Sequence, residues 1–341
     1  MGDRVSGKAC GEGVSREGVL TADIVPGRDA VPMWPPVRPG MLTRRSLLAG
    51  LPALGAAARL LASDGAAAVV DTHVHCFAGR NDPRFPYHDD GPYQPAEATP
   101  PEHLLGLMAA AGVDFAIVVH PEPYQDDHRY LEHCLAAGRG RLKGTCLFFA
   151  GRPGATAGMR ALAARAPLVA ARIHAYNPER LPPFGTPELR ELWKLAGDLG
   201  LAIQLHFEPR YAPGFEPYIR EFSSVRVLVD HLGRPFQGTP QEHAVVIGWA
   251  TFDNVVMKLS SLPDKGNYPH RDPRAVVHRL ADAFGAERLM YGGGYGERAT
   301  ADGYRAERER TAELLASFSA TDRARVLGGN AARFFGFETA P

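Results

Sequence analysis

The sequence predicts an α/β protein, a (β/α)8 barrel forming a single catalytic domain, on three observations. From Val69 onward, eight short runs rich in Val, Ile and Leu alternate with longer stretches of helical period. The runs are continuously apolar rather than alternating, as parallel strands buried on both faces should be. Several of them end in His, Arg, Asp or Lys, and a barrel gathers the C-terminal ends of its strands at one mouth, where its chemistry sits.

The strands are expected at 69–75, 113–120, 142–149, 168–174, 201–206, 225–230, 255–260 and 289–292, with helices such as 102–111, 187–199 and 274–284 between them. Read from their ends, they deliver His73 and His75 from the first strand, His120 from the second, and Arg172 with His174 from the fourth. His206 comes from the fifth, Asp230 and His231 from the sixth, and Lys258 with Ser260 from the seventh. His103, His128, His133, His243 and His278 lie on helical stretches and are expected at the surface. A doubly wound open sheet is the alternative, but no G-x-G-x-x-G follows the first strand.

Composition narrows the partners. Lys+Arg and Asp+Glu both number 38, so no basic excess is available for phosphates, and nucleic acid is not an expected partner. Cys10, Cys76, Cys134 and Cys146 have no C-x-x-C spacing, which excludes a cysteine zinc site. Residues 1–40 hold seven Gly and five Pro without apolar period, and are expected to be disordered or an over-long gene start. Residues 41–68 place Arg44-Arg45 before an apolar run from Leu47 to Ala58, similar to a twin-arginine export signal. The run stops at Arg59, short of the roughly 20 residues a membrane span needs. The expectation is an exported, periplasmic or extracellular barrel over 69–341.

Asp71-Thr72-His73-Val74-His75 puts two imidazoles at i and i+2, on one face of a strand. Two neutral imidazoles side by side can share a divalent ion, and a third from another strand end would complete most of a tetrahedral shell; His206 is the expected third. His120 and His174, each alone, fit hydrogen-bonded core residues better than ligands. Cys76 points to the opposite face. The long segment 76–100 follows the first strand and is expected to cover the mouth, with Phe85, Tyr87 and Tyr93 either lining the pocket or packing the loop down.

Val70-Asp71-Thr72-His73-Val74-His75, Gln204-Leu205-His206, Val229-Asp230-His231-Leu232-Gly233, Lys258-Leu259-Ser260 and Gly328-Gly329-Asn330-Ala331-Ala332-Arg333 together resemble the amidohydrolase-related family of TIM-barrel hydrolases, in its lactonase-like branch. The resemblance implies that His73, His75 and His206 bind a divalent metal, zinc or manganese, or polarise substrate without one. It implies that His231 acts on water or the substrate carbonyl, and that Arg172 sits near the substrate, with His174 and Tyr124 as further contacts. A guanidinium there would grip a substrate carboxylate with two parallel hydrogen bonds, or else pair with a carboxylate of the protein.

One position departs from the family pattern: Gly294 stands where family members carry a strand-eight aspartate, and Glu297 and Glu208 are the candidate substitutes. The implied activity is hydrolysis of a lactone or related cyclic ester or amide on a small, anionic molecule. The alternative is a barrel that has lost hydrolysis and performs decarboxylation, elimination or isomerisation, or only binds its ligand.

Overall fold

In the computed structural model the described residues are 67–338, apart from 264–270, 294 and 297. The expectations for 1–40, for nearly all of 41–68, and for Gly294 and Glu297 lie outside the described residues. Eight strands pair in parallel and in chain order. They are β1 (Val70–Val74), β2 (Phe115–Val119), β3 (Leu142–Leu147), β4 (Leu168–Ala175), β5 (Ala202–Phe207), β6 (Val227–Val229), β7 (Val255–Leu259) and β8 (Leu289–Tyr291).

A helix follows each strand on the outside: α1 (Pro101–Ala111), α2 (Arg129–Gly138), α3 (Ala155–Ala163), α4 (Pro187–Asp198), α5 (Ala212–Glu221), α6 (Pro240–Gly248), α7 (Arg274–Phe284) and α8 (Ala301–Leu314). Local chemistry sets their starts. Thr239 and Glu242 form a capping box at α6, and Pro occupies the first helical position of α1, α4 and α6. Among the described residues no helix is long and apolar enough to cross a membrane.

β8 and β1 close the ring mainly through side chains. Thr72 Oγ1 donates to the Tyr291 carbonyl at 2.7 Å, Gly293 N donates to Asp71 Oδ1 at 2.9 Å, and Val74 bridges Tyr295. Val70, Ile117, Val119, Ala202, Leu228 and Met290 fill the bore, and a final short helix, Asn330–Phe335, plugs its floor with Ala331, Ala332 and Phe335. Phe337 stacks on Phe115 beside the plug, with ring centroids 4.5 Å apart. Trp193, Phe215 and Trp249 belong to the larger core between strands and helices. The packing is that of a filled barrel, whose open end is the strand C-termini.

β1 carries an irregularity that aims the site. Asp71 pairs with Ala116 and Val74 with Val118, so three steps of β1 oppose two of β2. The extra residue shifts the alternation: Val70 faces the bore while Val74, four residues on, packs outward against Leu104 and Met108. Bulges of this kind re-aim side chains next to active sites.

Two helical-stretch histidines depart from the expectation of exposure. His128 is buried and its Nε2 accepts from Leu147 N at 3.0 Å; His243 is buried and donates from Nε2 to the Leu232 carbonyl at 2.7 Å. His128 fastens the start of α2 to β3 and His243 fastens α6 to the turn after β6, which periodicity alone does not reveal.

Candidate active site

The mouth is organised around Asp230, fully buried just after β6. Its Oδ2 accepts from Arg172 Nε and Nη2 (3.1 and 2.9 Å) and from Gln204 Nε2 (3.0 Å), and Thr145 Oγ1 in turn donates to Gln204 Oε1 (3.1 Å). Its Oδ1 lies 3.4 Å from both His73 Nδ1 and Lys258 Nζ. One carboxylate thereby draws together side chains from β1, β3, β4, β5 and β7.

Burial alone would raise the Asp230 carboxyl, but Lys258, His73 and Arg172 hold it well below the usual carboxylate range. The same burial lowers the Lys258 ammonium to about 8 against the pull of Asp230. Lys258 Nζ is anchored by donating to the Thr72 carbonyl at 2.9 Å.

The imidazoles gather on top of this base. Nε2 of His73 and Nε2 of His75 are 3.2 Å apart, and the His73 and His231 rings lie 4.4 Å apart. Desolvation lowers His75 and His231 to about 3 and His73 and His206 well below their ordinary value, so all four are neutral at pH 7.

His75 Nδ1 donates to the Val119 carbonyl at 2.7 Å, which leaves its Nε2 as a lone pair facing His73. If His73 carries its proton on Nδ1, toward Asp230, two lone pairs confront each other; if on Nε2, its Nδ1 lone pair confronts a carboxylate oxygen. A divalent cation between the Nε2 atoms removes that conflict, with Asp230 and the Val119 carbonyl as the outer partners that fix ligand tautomers. His206 Nδ1, a buried atom, has no hydrogen-bond partner among the described residues, and buried Asp230 Oδ1 has only its 3.4 Å contacts with His73 Nδ1 and Lys258 Nζ. The residues therefore fit a metal. His73, Asp230 and His231 can each offer one ligand atom within 4.8 Å of the others, a set that includes neither His75 nor His206.

The remaining predicted residues take distinct places. The His206 ring stands 5.1 Å from His231 and 5.2 Å from His174, with Arg234 Nη1 at 3.2 Å from its Nε2. Arg172 takes the protein-carboxylate alternative, with Nε and Nη2 both engaged by Asp230. His174 Nδ1 meets Glu122 Oε1 at 3.0 Å, and Arg180 approaches the same oxygen at 3.4 Å. Burial would raise Glu122, but His174 and Arg180 keep it below the usual range.

Tyr124 is buried beneath the 76–100 segment, its hydroxyl accepting from Ala78 N at 2.7 Å. Glu208 pairs with Arg210 at 2.6 Å. His120 is a core residue, donating from Nε2 to the Gln125 carbonyl at 2.9 Å, and Cys76 packs in the core. In the covering segment Phe85 packs on Tyr130 and Tyr87 on Tyr124, whereas Tyr93 is 46% exposed and within electrostatic reach of Arg172 and Glu122.

Sequence reasoning assigned no role to Asp230, Lys258, Ser260 or Glu122. The first three were visible as polar strand ends; Glu122 had no signal, because it follows β2 in a short turn.

His231 is held by an unusual backbone. His231, Leu232, Gly233 and Arg234 have φ of 55°, 59°, 69° and 51°, four successive residues in the left-handed region. Non-glycine residues rarely adopt this conformation, and strain of this kind collects at functional sites. Ser260 Oγ lies 2.9 Å from His231 Nδ1, so the ring is pinned at one nitrogen and presents the other to the mouth.

The chain is similar in sequence and in fold to known proteins. L-fucono-1,5-lactonase of Burkholderia ambifaria is 29% identical over 269 residues, 69% of this chain and 84% of that protein. The 4-sulfomuconolactone hydrolase of Hydrogenophaga intermedia is 23% identical over 279 residues, 78% of this chain and 88% of that protein. A crystal structure of an amidohydrolase from Burkholderia multivorans with bound zinc superposes with a TM-score of 0.63 at 20% identity, covering 80% of this chain and all of that one. The family model described as amidohydrolase matches residues 70–337, and the chain belongs to the amidohydrolase family.

Proposed function

We propose that the protein hydrolyses the ester bond of a small lactone. The observation that carries the reading is the cluster of neutral imidazoles, His73, His75 and His231, set against the ionised Asp230 at the barrel mouth. Two lactone hydrolases among the relatives support it. A divalent metal, held by His73 with His75, would supply Lewis acidity toward the carbonyl and toward water.

The chain's own groups then have separable tasks. Water oxygen bonds to the acyl carbon, the ring C–O bond breaks, and the proton lost by water ends on the departing ring oxygen. His231 is the residue placed to carry it, since Ser260 fixes its Nδ1. Burial lowers its conjugate acid to about 3, so the ring is neutral and its free nitrogen is open to accept a proton. Asp230 keeps the His73 tautomer and holds Arg172 and Lys258 in place. Tyr93 and the 76–100 segment overhang the entrance.

The test is a panel of five- and six-membered lactones offered to the purified protein, with bound metal quantified in parallel. Turnover that falls by about 10²- to 10⁴-fold in His231→Gln, the usual contribution of a positioned acid–base group, is the expected result. A well-folded, metal-loaded protein that opens no lactone on the panel would sink the reading.

A further inference from the structure

Beside the catalytic cluster lies a second space. A cavity of about 250 Å³ opens past Arg172, His174 and Glu122 and runs outward between the turn after β3 and the loop joining β4 to α4. One side of its wall is apolar, built from Phe148, Leu181, Pro182, Leu189 and Leu192, and Arg152, Glu179 and Arg180 line it as well. It shares three residues with the catalytic mouth, so what occupies it is attached to the reacting group. Its volume lies below the roughly 300–1,000 Å³ of whole-ligand pockets, which suits a substituent rather than a complete substrate.

The charges around it are already matched. Arg172 gives Nε and Nη2 to Asp230, and Arg180 stands 3.4 Å from Glu122, which also meets His174 at 3.0 Å. Arg152 is 3.6 Å from Asp126, donates to Gln125 Oε1 at 3.0 Å, and lies over the Phe149 ring at 3.9 Å. Glu179 sits exposed at the rim. A second carboxylate entering this space would compete with Glu122 and Asp230 for their partners. Hydroxyls of a polyol chain that face Leu181, Leu189 and Leu192 would go unpaired, and an unpaired polar group in such a place is costly.

We infer that the cavity receives an uncharged alkyl or aryl substituent of the lactone ring, so that the substrate class is apolar-substituted lactones rather than sugar lactones or dicarboxylates. The inference rests on the hydrolytic reading above and specifies what that site selects. The lactone carbonyl lies at the imidazole cluster, and the substituent passes alongside the paired His174 and Glu122 into the space lined by Leu181 and Leu192.

The experiment measures kcat/KM of the full chain on γ- and δ-lactones bearing no substituent, then alkyl chains of one to six carbons, alongside a polyhydroxylated lactone of the same ring size. The expected result is a gain of about fourfold per methylene, the transfer free energy of a buried CH₂, levelling off once the cavity is full. Ala150 also lines the cavity, so Ala150→Trp, which fills the space, should flatten the series; Phe148→Ala, which enlarges it, should move the plateau to longer chains. Circular dichroism and melting curves show whether each variant is folded.

A flat series with the polyhydroxylated lactone preferred overturns the inference and leaves the lactonase reading standing. If no lactone is opened, the reading fails, and the cavity is judged by calorimetric binding of the corresponding lactams. Affinity that climbs with chain length and loses that trend in Ala150→Trp upholds it; affinity independent of chain length overturns it.

Discussion

Asp230 joins two jobs that substitution can separate. It is the counter-charge for Lys258 and Arg172, and it is the partner that fixes His73. Asp230→Asn leaves two buried cations without their carboxylate, and breaking a buried pair in this way typically costs about 3–5 kcal/mol. We expect that loss in urea denaturation, with kcat/KM down by at least about 100-fold. Lys258→Met added to Asp230→Asn should recover part of the stability and none of the activity, which distinguishes charge balance from catalysis. Asp71 gives a prediction about pH. Burial raises its carboxyl to about 6 from 3.8, over the opposing hydrogen bonds from His73 N, Tyr304 Oη and Gly293 N. A folded pKa above the unfolded one means that the contribution is complete below about 4 and is lost as pH rises through about 6. Relative to Asp71→Asn, the wild type should therefore lose about 3 kcal/mol between those limits, read from denaturation curves at stepped pH. The histidine pair was legible in the sequence because i, i+2 spacing on a strand has one geometric meaning. The hub at Asp230 was not, because its partners come from five other strands and only closure of the barrel brings them together.

The elements show the same division. All eight strands lie within or one residue beyond the apolar runs that predicted them, and α7 matches its predicted bounds, because continuous Val, Ile and Leu runs have few other homes. The bulge in β1 left no trace in the pattern, since an extra residue is neither apolar nor polar in character. The left-handed run at 231–234 was likewise hidden: Gly233 was visible, but His231, Leu232 and Arg234 adopt positive φ only because the turn demands it. At Gly233 an added Cβ would sit 2.6 Å from Val246 Cγ1 on a backbone with φ of 69°. Gly233→Ala should therefore destabilise the protein by roughly 1–3 kcal/mol, the range for one strained residue, and lower kcat more than it raises KM, because His231 shifts with the turn. Gly328 belongs to a wide turn, Arg325–Gly329, packed under the start of β1, where an added Cβ would collide with the Ala68 carbonyl oxygen. Gly328→Ala should yield largely insoluble protein, checked by comparing the soluble fraction with that of Gly296→Ala, a position whose surroundings are open.

At the scale of the whole molecule, the proposed metal binding and folding are linked, because the His73–His75 pair at the end of β1 meets Asp230 only when β1 and β6 occupy the same barrel. A cation at one hundred times its dissociation constant should stabilise the native state by about 2.7 kcal/mol, seen as a melting temperature that climbs with added zinc or manganese and falls with a chelator. No such dependence, in a protein whose His73→Asn variant melts identically with and without metal, would show that the imidazole pair holds no ion. The floor of the barrel carries one more implication. Ala331, Ala332, Phe335 and Phe337 seal a bore whose first wall, β1, is made some 260 residues earlier. During synthesis all eight strands are made before that stopper, the last of them about 40 residues ahead of it, and until it arrives water has access to the apolar bore from below. A nick or a bulky fusion near Phe335 should for that reason cripple a reaction centre at the opposite end of the molecule, without touching any residue there.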